Sequence, residues 1–375
     1  MVDFNRDVYC LLGLPFDAVN MAQAVRRVRE AATQRVPCFL STPNLNFLIG
    51  CREDSAFRDS VVHSDLSIAD GMPLVWIARM LGIPIRQRVA GSDLFEQLGK
   101  GPAAPLSVYF FGGVPGVAQT ACRRLREVAP GLVCAGFDSP GFGSVAAMSG
   151  DESIAKINAS GADFVVVALG AKKGQAWIER NRARIAAPVI SHLGAVLNFV
   201  AGTVNRAPSW IQKIGLEWLW RIKEEPALWR RYLGDGLALL NLLATRVLPY
   251  AWFLRSHQTD AAELAAAAAE TKEDARCCVV RLRGAWTMRN IGPLRECFAK
   301  AIGAGKDMRL EMGGVTHVDS AFVGLIMLLH GHQQRQQRRL SIASAREPVR
   351  RILRYCCAEY LYSNADVEML EQSVA

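Results

Sequence analysis

The chain has 375 residues, and only six are histidine. Its ten cysteines show no metal-ligand spacing. Cys277-Cys278 and Cys356-Cys357 are adjacent pairs, and the others are scattered through apolar runs. A structural or catalytic zinc site is therefore not expected, and no cofactor is called for. Reduced core thiols of a cytosolic protein are the expected role for these cysteines. No signal-peptide apolar region follows Met1-Val2-Asp3-Phe4-Asn5-Arg6-Asp7, so the expected compartment is the cytosol. Charged residues are 21% against 51% hydrophobic, which excludes a disordered chain. The formal charge of +9 is not laid out as a basic stripe interleaved with aromatics, so nucleic acid is not an expected partner. The basic residues gather instead in Arg221–Arg231, Arg335–Arg339 and Arg346–Arg354. The first cluster borders an apolar stretch, which fits anionic lipid or a diphosphate.

What is present is an alternation of short apolar runs with amphipathic helical runs from residue 7 to about 200. Val8–Leu14, Val36–Ser41, Leu106–Phe111, Phe164–Leu169 and Val189–Gly194 read as strands. Ala18–Ala32 and Val117–Val128 read as helices. Phe164–Leu169 is apolar throughout, as a strand buried on both faces should be. The pattern predicts an α/β fold with a Rossmann-like parallel sheet covered by helices. Such sheets bind ligands at the carboxyl ends of their strands. Two candidate strand ends carry polar groups: Thr42-Pro43-Asn44, and Asp65-Leu66-Ser67-Ile68-Ala69-Asp70-Gly71. The second places a carboxylate beside a chain reversal that Gly71 is expected to permit. Arg88-Val89-Ala90-Gly91 follows after one helix, and Gly112-Gly113-Val114-Pro115-Gly116 closes another strand ahead of a helix. A glycine turn of that kind lets backbone N–H groups approach a phosphate or a sugar.

These blocks, with Ala168-Leu169-Gly170, Arg206-Ala207-Pro208 and Gly215-Leu216-Glu217-Trp218-Leu219-Trp220-Arg221, resemble the signature of the WecG/TagA/CpsF glycosyltransferase family, in its order, over roughly residues 5 to 250. The resemblance implies an inverting transfer from a UDP-sugar, of N-acetylhexosamine or uronic type, to a polyprenyl-diphosphate-linked saccharide. It places that reaction in surface polysaccharide synthesis, at the cytoplasmic face of the inner membrane, on a peripherally attached protein. On the residues alone, Asp70 fits a general base and a helix cap equally; the resemblance assigns it the base. The resemblance also assigns Thr42 and Asn44 to the substrate pocket, where plain turn chemistry is the alternative. Arg88 would offset diphosphate charge or form a surface salt bridge with Asp93. Gly112 and Gly113 become candidates for the nucleotide site. Where the family shows Pro-Lys-Gln-Glu, this chain reads Lys172-Lys173-Gly174-Gln175; Lys173 keeps the basic position and Gln175 replaces the glutamate. Asn198 stands where an aspartate is common. These departures leave an alternative: an impaired module that binds nucleotide sugar and signals.

After Pro208 the composition changes. Trp210, Trp218, Trp220, Trp229 and Trp252 crowd together with basic residues, and Gly236–Leu254 is strongly apolar but interrupted by Arg246 and Pro249. A helix lying in the membrane interface is expected, with a helix buried against the main domain as the alternative. Arg221, Arg230 and Arg231 flank Glu225-Pro226 and are candidates for the membrane or the lipid diphosphate; a solvated basic face is the plain reading. Ala227-Leu228 lacks the arginines often found there in the family.

The expected domains are 1–255, with an appendage from about 209 to 255, then an Ala-rich linker at 256–276, then 277–375. In the last, Val279–Leu282 and Met308–Met312 alternate as half-buried strands. Thr316-His317-Val318-Asp319-Ser320 and the following helix resemble the STAS (anti-sigma-factor-antagonist-like) fold, over roughly residues 277 to 370. That resemblance implies a small α/β domain with a protein partner, and makes Ser320 a candidate phosphosite at a helix N-terminus. An ordinary N-cap serine fits the same position.

Overall fold

The computed structural model describes residues 2–100, 104–208, 211, 215–257, 259–275 and 277–362. It divides into two compact units. One holds residues 19–76 and 85–239; the other holds the residues up to 18, 77–84, and those described from 240 onwards. The chain opens with a hairpin of β1 (Val8–Leu11) and β2 (Leu14–Asp17) that belongs to the second unit.

The first unit is built on a six-stranded, wholly parallel sheet. Its strands are β3 (Cys38–Ser41), β4 (Leu66–Ser67), β5 (Leu106–Gly112), β6 (Leu132–Asp138), β7 (Phe164–Ala168) and β8 (Val189–His192). They lie in the order β4-β3-β8-β7-β5-β6. Successive side chains on a strand point to opposite faces, and both faces are buried here. Leu40, Val108, Phe110, Phe164, Val166 and Val189 join one core. Phe39, Tyr109, Phe111, Val165, Val167 and Ile190 join the other, where Phe111 stacks on Trp177 at 4.2 Å. The Rossmann-like expectation is met. The expected reduced state of the cysteines is not met at one pair: Cys122, on the helix Val117–Val128, and Cys134, on β6, form a disulfide with Cα atoms 5.4 Å apart.

The second unit has a four-stranded sheet in the order β12-β11-β10-β9. Its strands are β9 (Ala268–Glu273), β10 (Cys277–Trp286), β11 (Asp307–Val318) and β12 (Leu340–Ala343). β10, β11 and β12 run parallel, and β9 is an antiparallel edge. Residues 256–276, expected as a linker, therefore contain a short helix, Ala261–Ala265, and this edge strand. Backbone pairing with β10 and the Glu270–Arg283 ion pair hold it, so an apolar face is not required.

The hairpin and residues 240–255 pack with the second unit. The helix Ser320–Arg335 is buried from Ser320 to Gln333, without a solvated face. Such a helix needs cover on every side. The hairpin supplies part of it, so close that a Cβ on Gly324 would collide with the Val8 carbonyl oxygen. Leu12 and Gly13 make the hairpin turn at φ 50° and 92°. From the helix Leu248–Ser256, Tyr250 stacks on Tyr355 at 5.6 Å.

Candidate active site

A cavity of about 870 Å³ opens at the carboxyl ends of the parallel strands, within the first unit. Thr42, Asn44, Asp70 and Arg88 line it, as do Gly113, Lys173 and Asn198. Arg221 and Arg231 border it too.

Backbone pairing places the carboxylate. Ile68 donates to Ser41 O (3.0 Å), Asp70 donates to Pro43 O (3.0 Å), and Val89 donates to Ala69 O (3.0 Å). The three motif segments are thus tied side by side. Gly91 then approaches closely: a Cβ there would stand 2.5 Å from Leu193 Cδ2 and 3.1 Å from Thr42 Cγ2. That approach lets the Gly91 N–H donate to Asp70 Oδ2 at 3.2 Å. Burial raises the Asp70 pKa from 3.8 to about 6; the Arg88 charge and the Gly91 N–H oppose the rise, and Glu217 and Asp93 add to it. A carboxylate so placed is ionised at neutral pH yet basic enough to accept a proton in a transition state. Gly71 does not act as expected. Its φ is not positive, and the nearest atom to a Cβ there would be at 3.8 Å, so the strand end turns without needing a glycine.

Arg88 donates to Glu217 Oε2 (2.5 Å) and to Asp93 Oδ2 (2.7 Å). Burial works against its charge, but Glu217, Asp70 and Asp93 more than offset this and hold the guanidinium above its ordinary range. With two carboxylates on it, Arg88 tunes Asp70 and anchors the helix Glu217–Glu224. Asn44 caps the helix Leu45–Glu53 by accepting from Phe47 N (3.1 Å) while lining the cavity, so turn chemistry and site position coincide. Gly112 and Gly113 have φ of 97° and 80°, and a Cβ on either would strike the neighbouring chain at Leu169 or Leu197. Of the two, Gly113 lines the cavity.

Lys173 reaches the cavity wall and donates to Gly143 O at 3.0 Å. Gln175 does not reach it, contrary to expectation. The helix Ala171–Asn181 turns that position inward, where Gln175 is fully buried and its Nε2 donates to Ser41 Oγ at 3.1 Å. Arg230 also stays outside the lining, its guanidinium over the Trp229 ring at 5.5 Å. Ser320 lies in the other unit, 6% exposed, with its Oγ donating to Cys10 O at 2.7 Å. A kinase could not reach it without displacing the hairpin. Trp210 lies outside the described residues.

The sequence reading missed several lining residues with chemistry, among them His192, Glu217, Tyr232 and Asp235. Glu217 stood inside a quoted motif without a role, and His192 lay within the predicted strand Val189–Gly194, two residues before its closing glycine. Either position could have flagged them.

The Trp229–Leu242 helix leaves Trp229, Leu233, Leu237 and Leu240 exposed, in steps of four, four and three that follow one helical face. On Leu248–Ser256, Leu248 and Trp252 are exposed, Trp252 by 72%. The continuous helical stretch Pro226–Ser256 is long and apolar enough to cross a membrane by length and composition.

Comparison with known proteins agrees with this geometry. A model of the glycosyl transferase WecG/TagA/CpsF family matches residues 9–251, and a model described as Mlab, STAS domain matches residues 269–359. An N-acetylglucosaminyldiphosphoundecaprenol N-acetyl-beta-D-mannosaminyltransferase of Bacillus spizizenii is 30% identical over 203 residues, covering 54% of this chain and 77% of that protein. The Bacillus subtilis enzyme of the same name is 27% identical, over 56% of this chain and 80% of its own length. That of Staphylococcus aureus is 24% identical, over 56% and 82%.

Proposed function

Because the chain belongs to the WecG/TagA/CpsF family of glycosyl transferases, we propose that it moves a sugar from a UDP-sugar to a polyprenyl-diphosphate-linked saccharide with inversion at the anomeric carbon. The donor is of N-acetylhexosamine or uronic type. Relatives named for transfer of N-acetylmannosamine to a lipid-diphosphate-linked sugar support an N-acetylhexosamine as the transferred sugar and the lipid-linked acceptor. The observation that carries it is Asp70, on the cavity wall beside Thr42 and Asn44, with its pKa raised to about 6.

In the proposed step the acceptor hydroxyl oxygen bonds to the anomeric carbon as the bond from that carbon to the diphosphate oxygen breaks. The hydroxyl proton passes to the Asp70 carboxylate, and UDP leaves with the bonding electrons. Attack from the face opposite the diphosphate inverts the configuration. Negative charge develops on the leaving group, and Lys173, Arg221 and Arg231 put cations on the cavity wall to meet it. Arg88 does not serve there, since two carboxylates already hold it.

The exposed Trp229, Leu233 and Leu237 face, flanked by Arg230 and Arg231, docks on an anionic membrane and keeps the site near its lipid-linked acceptor. The reaction then takes place at the cytoplasmic face of the membrane on a peripheral protein. The test is to incubate the purified chain with a panel of UDP-sugars and short polyprenyl-diphosphate sugars and to look for product by mass. One sugar added per acceptor, with UDP released, is the expected outcome. Binding of a UDP-sugar without turnover would favour the alternative of an impaired binding module.

A further inference from the structure

His192 borders the cavity but has no part in the step above. Its side chain is almost wholly buried, and its Nε2 makes no hydrogen bond among the described residues. The ring occupies space that exists because position 174 has no side chain. A Cβ on Gly174 would collide with the ring's Cδ2 and come within 2.9 Å of Cγ. A Cβ on Gly194 would also stand 3.2 Å from Nε2. Burial pushes the His192 pKa down to about 4, so the ring is neutral at physiological pH. A buried polar atom left without a partner is destabilising. On a cavity wall, a bound molecule can offset that cost.

The position of the ring narrows the ligand. β8, which ends in His192, lies between β3, which leads to Thr42 and Asn44, and β7, which leads to Leu169 and Gly170. Asp70 follows β4, beyond β3, and Gly113 follows β5, beyond β7. The ring therefore stands between the proposed base and the glycine-lined side assigned to the nucleotide. In a transfer reaction that interval holds the sugar that moves. One nitrogen of a neutral imidazole donates and the other accepts, which suits a hydroxyl or an acetamido group. A diphosphate would instead select a cation.

We infer that His192, seated in the space left by Gly174, is a specificity-determining residue that hydrogen-bonds a hydroxyl or acetamido group of the transferred sugar. The inference rests on the glycosyl-transfer reading and extends it to the donor's sugar ring.

The test uses the full chain and calorimetric binding of UDP alone, UDP-N-acetylmannosamine, UDP-N-acetylglucosamine and UDP-glucuronic acid. For whichever sugar nucleotide the wild type prefers, His192→Ala should weaken binding about tenfold to a hundredfold. UDP affinity and the KM for the lipid acceptor should stay as they were. His192→Gln, which restores a donor and an acceptor, should recover part of the loss. Gly174→Ala, which displaces the ring, should reproduce the loss in the wild type and add little in the His192→Ala background, because both act on one group. Thermal unfolding checks that each variant is folded. Equal weakening of UDP and the UDP-sugar, or undiminished UDP-sugar affinity in folded His192→Ala, would overturn the inference. A wild type that binds neither UDP nor any of these sugars would overturn the glycosyl-transfer reading, and this inference with it.

Discussion

Asp70 and Asp319 stand in the same local setting, at the end of a parallel strand and just ahead of a helix. Burial raises the pKa of both. They differ in what the backbone does with the carboxylate. Asp319 accepts from Ala321 N (2.9 Å) and Phe322 N (3.0 Å) through Oδ1, and from Met288 N (2.8 Å) through Oδ2. Its capacity is taken up in capping the helix Ser320–Arg335. Among the described residues Asp70 has one backbone donor, Gly91, and it faces a cavity. A buried carboxylate that the fold has saturated is structural, while one left under-bonded beside open volume can take a proton. Counting backbone donors separates the two cases, which strand–Asp–helix order in a sequence cannot do.

The largest expected difference between these sites is in turnover. Asp70→Asn should lower kcat by about 10²–10⁴-fold while the protein stays folded, because a general base is removed and little else changes. Single-turnover assays with product read by mass check this. Asp319→Asn should leave the chemistry of the cavity untouched.

The next largest effect belongs to the neighbour of Asp319. Ser320→Glu would bury an unpaired charge against the hairpin carbonyl of Cys10 and should destabilise the second unit by about 3–5 kcal/mol. Ser320→Ala should cost only about 1 kcal/mol, the value of one lost hydrogen bond. Urea titrations separate these outcomes. A Ser320→Glu protein as stable as wild type would reopen the phosphosite that the STAS resemblance implies.

Stability should also move in opposite directions for the two aspartates. The folded-state pKa of Asp70 is raised from 3.8 to about 6, so folding favours the protonated form. That contribution is complete below the ordinary value and is lost as pH rises through about 6. Asp70→Asn should therefore raise Tm at pH 8 and leave it nearly unchanged at pH 4. Asp319→Asn puts an amide NH2 or a lone oxygen where three N–H groups need acceptors, and should cost about 1–2 kcal/mol. Calorimetric scans at the two pH values read both.

The smallest effect concerns the exposed helix face. Leu237→Asp should weaken binding to phosphatidylglycerol-containing vesicles about tenfold, the order expected for losing one partly inserted leucine, and leave turnover on a short soluble acceptor unchanged. Flotation of the vesicles measures it.

Much of the fold could be read in the sequence because buried parallel strands are locally apolar. Phe164–Leu169 announces a central strand without any knowledge of its neighbours. The cavity's polar rim was legible for the same reason, since Thr42, Asn44 and Asp70 directly follow such runs. What the sequence hid depends on partners far along the chain or on helical phase. Val8–Leu14 reads as a single strand, yet Leu12 and Gly13 fold it back into a hairpin, and nothing local says that its cover is a helix beginning at Ser320. Gln175 is two residues beyond Lys173, and two steps along a helix turn a side chain about 200° away, which sends one to the rim and the other to Ser41. Gly71 reads as a turn that only glycine permits, but the chain bends there without a positive φ. The alanine-rich segment before β10 has no amphipathic pattern, so an edge strand held by backbone pairing left no trace in composition.

The central claim is that an ionised Asp70 accepts the proton of the attacking hydroxyl. The pH dependence of kcat/KM in the wild type and in Asp70→Asn, measured on one UDP-sugar and one lipid-diphosphate acceptor, tests it most directly. The account predicts that wild-type kcat/KM falls as pH drops through about 6, where the carboxylate protonates, and that this limb disappears in a slow but folded Asp70→Asn. An Asp70→Asn enzyme with wild-type rates and the same acidic limb would contradict it.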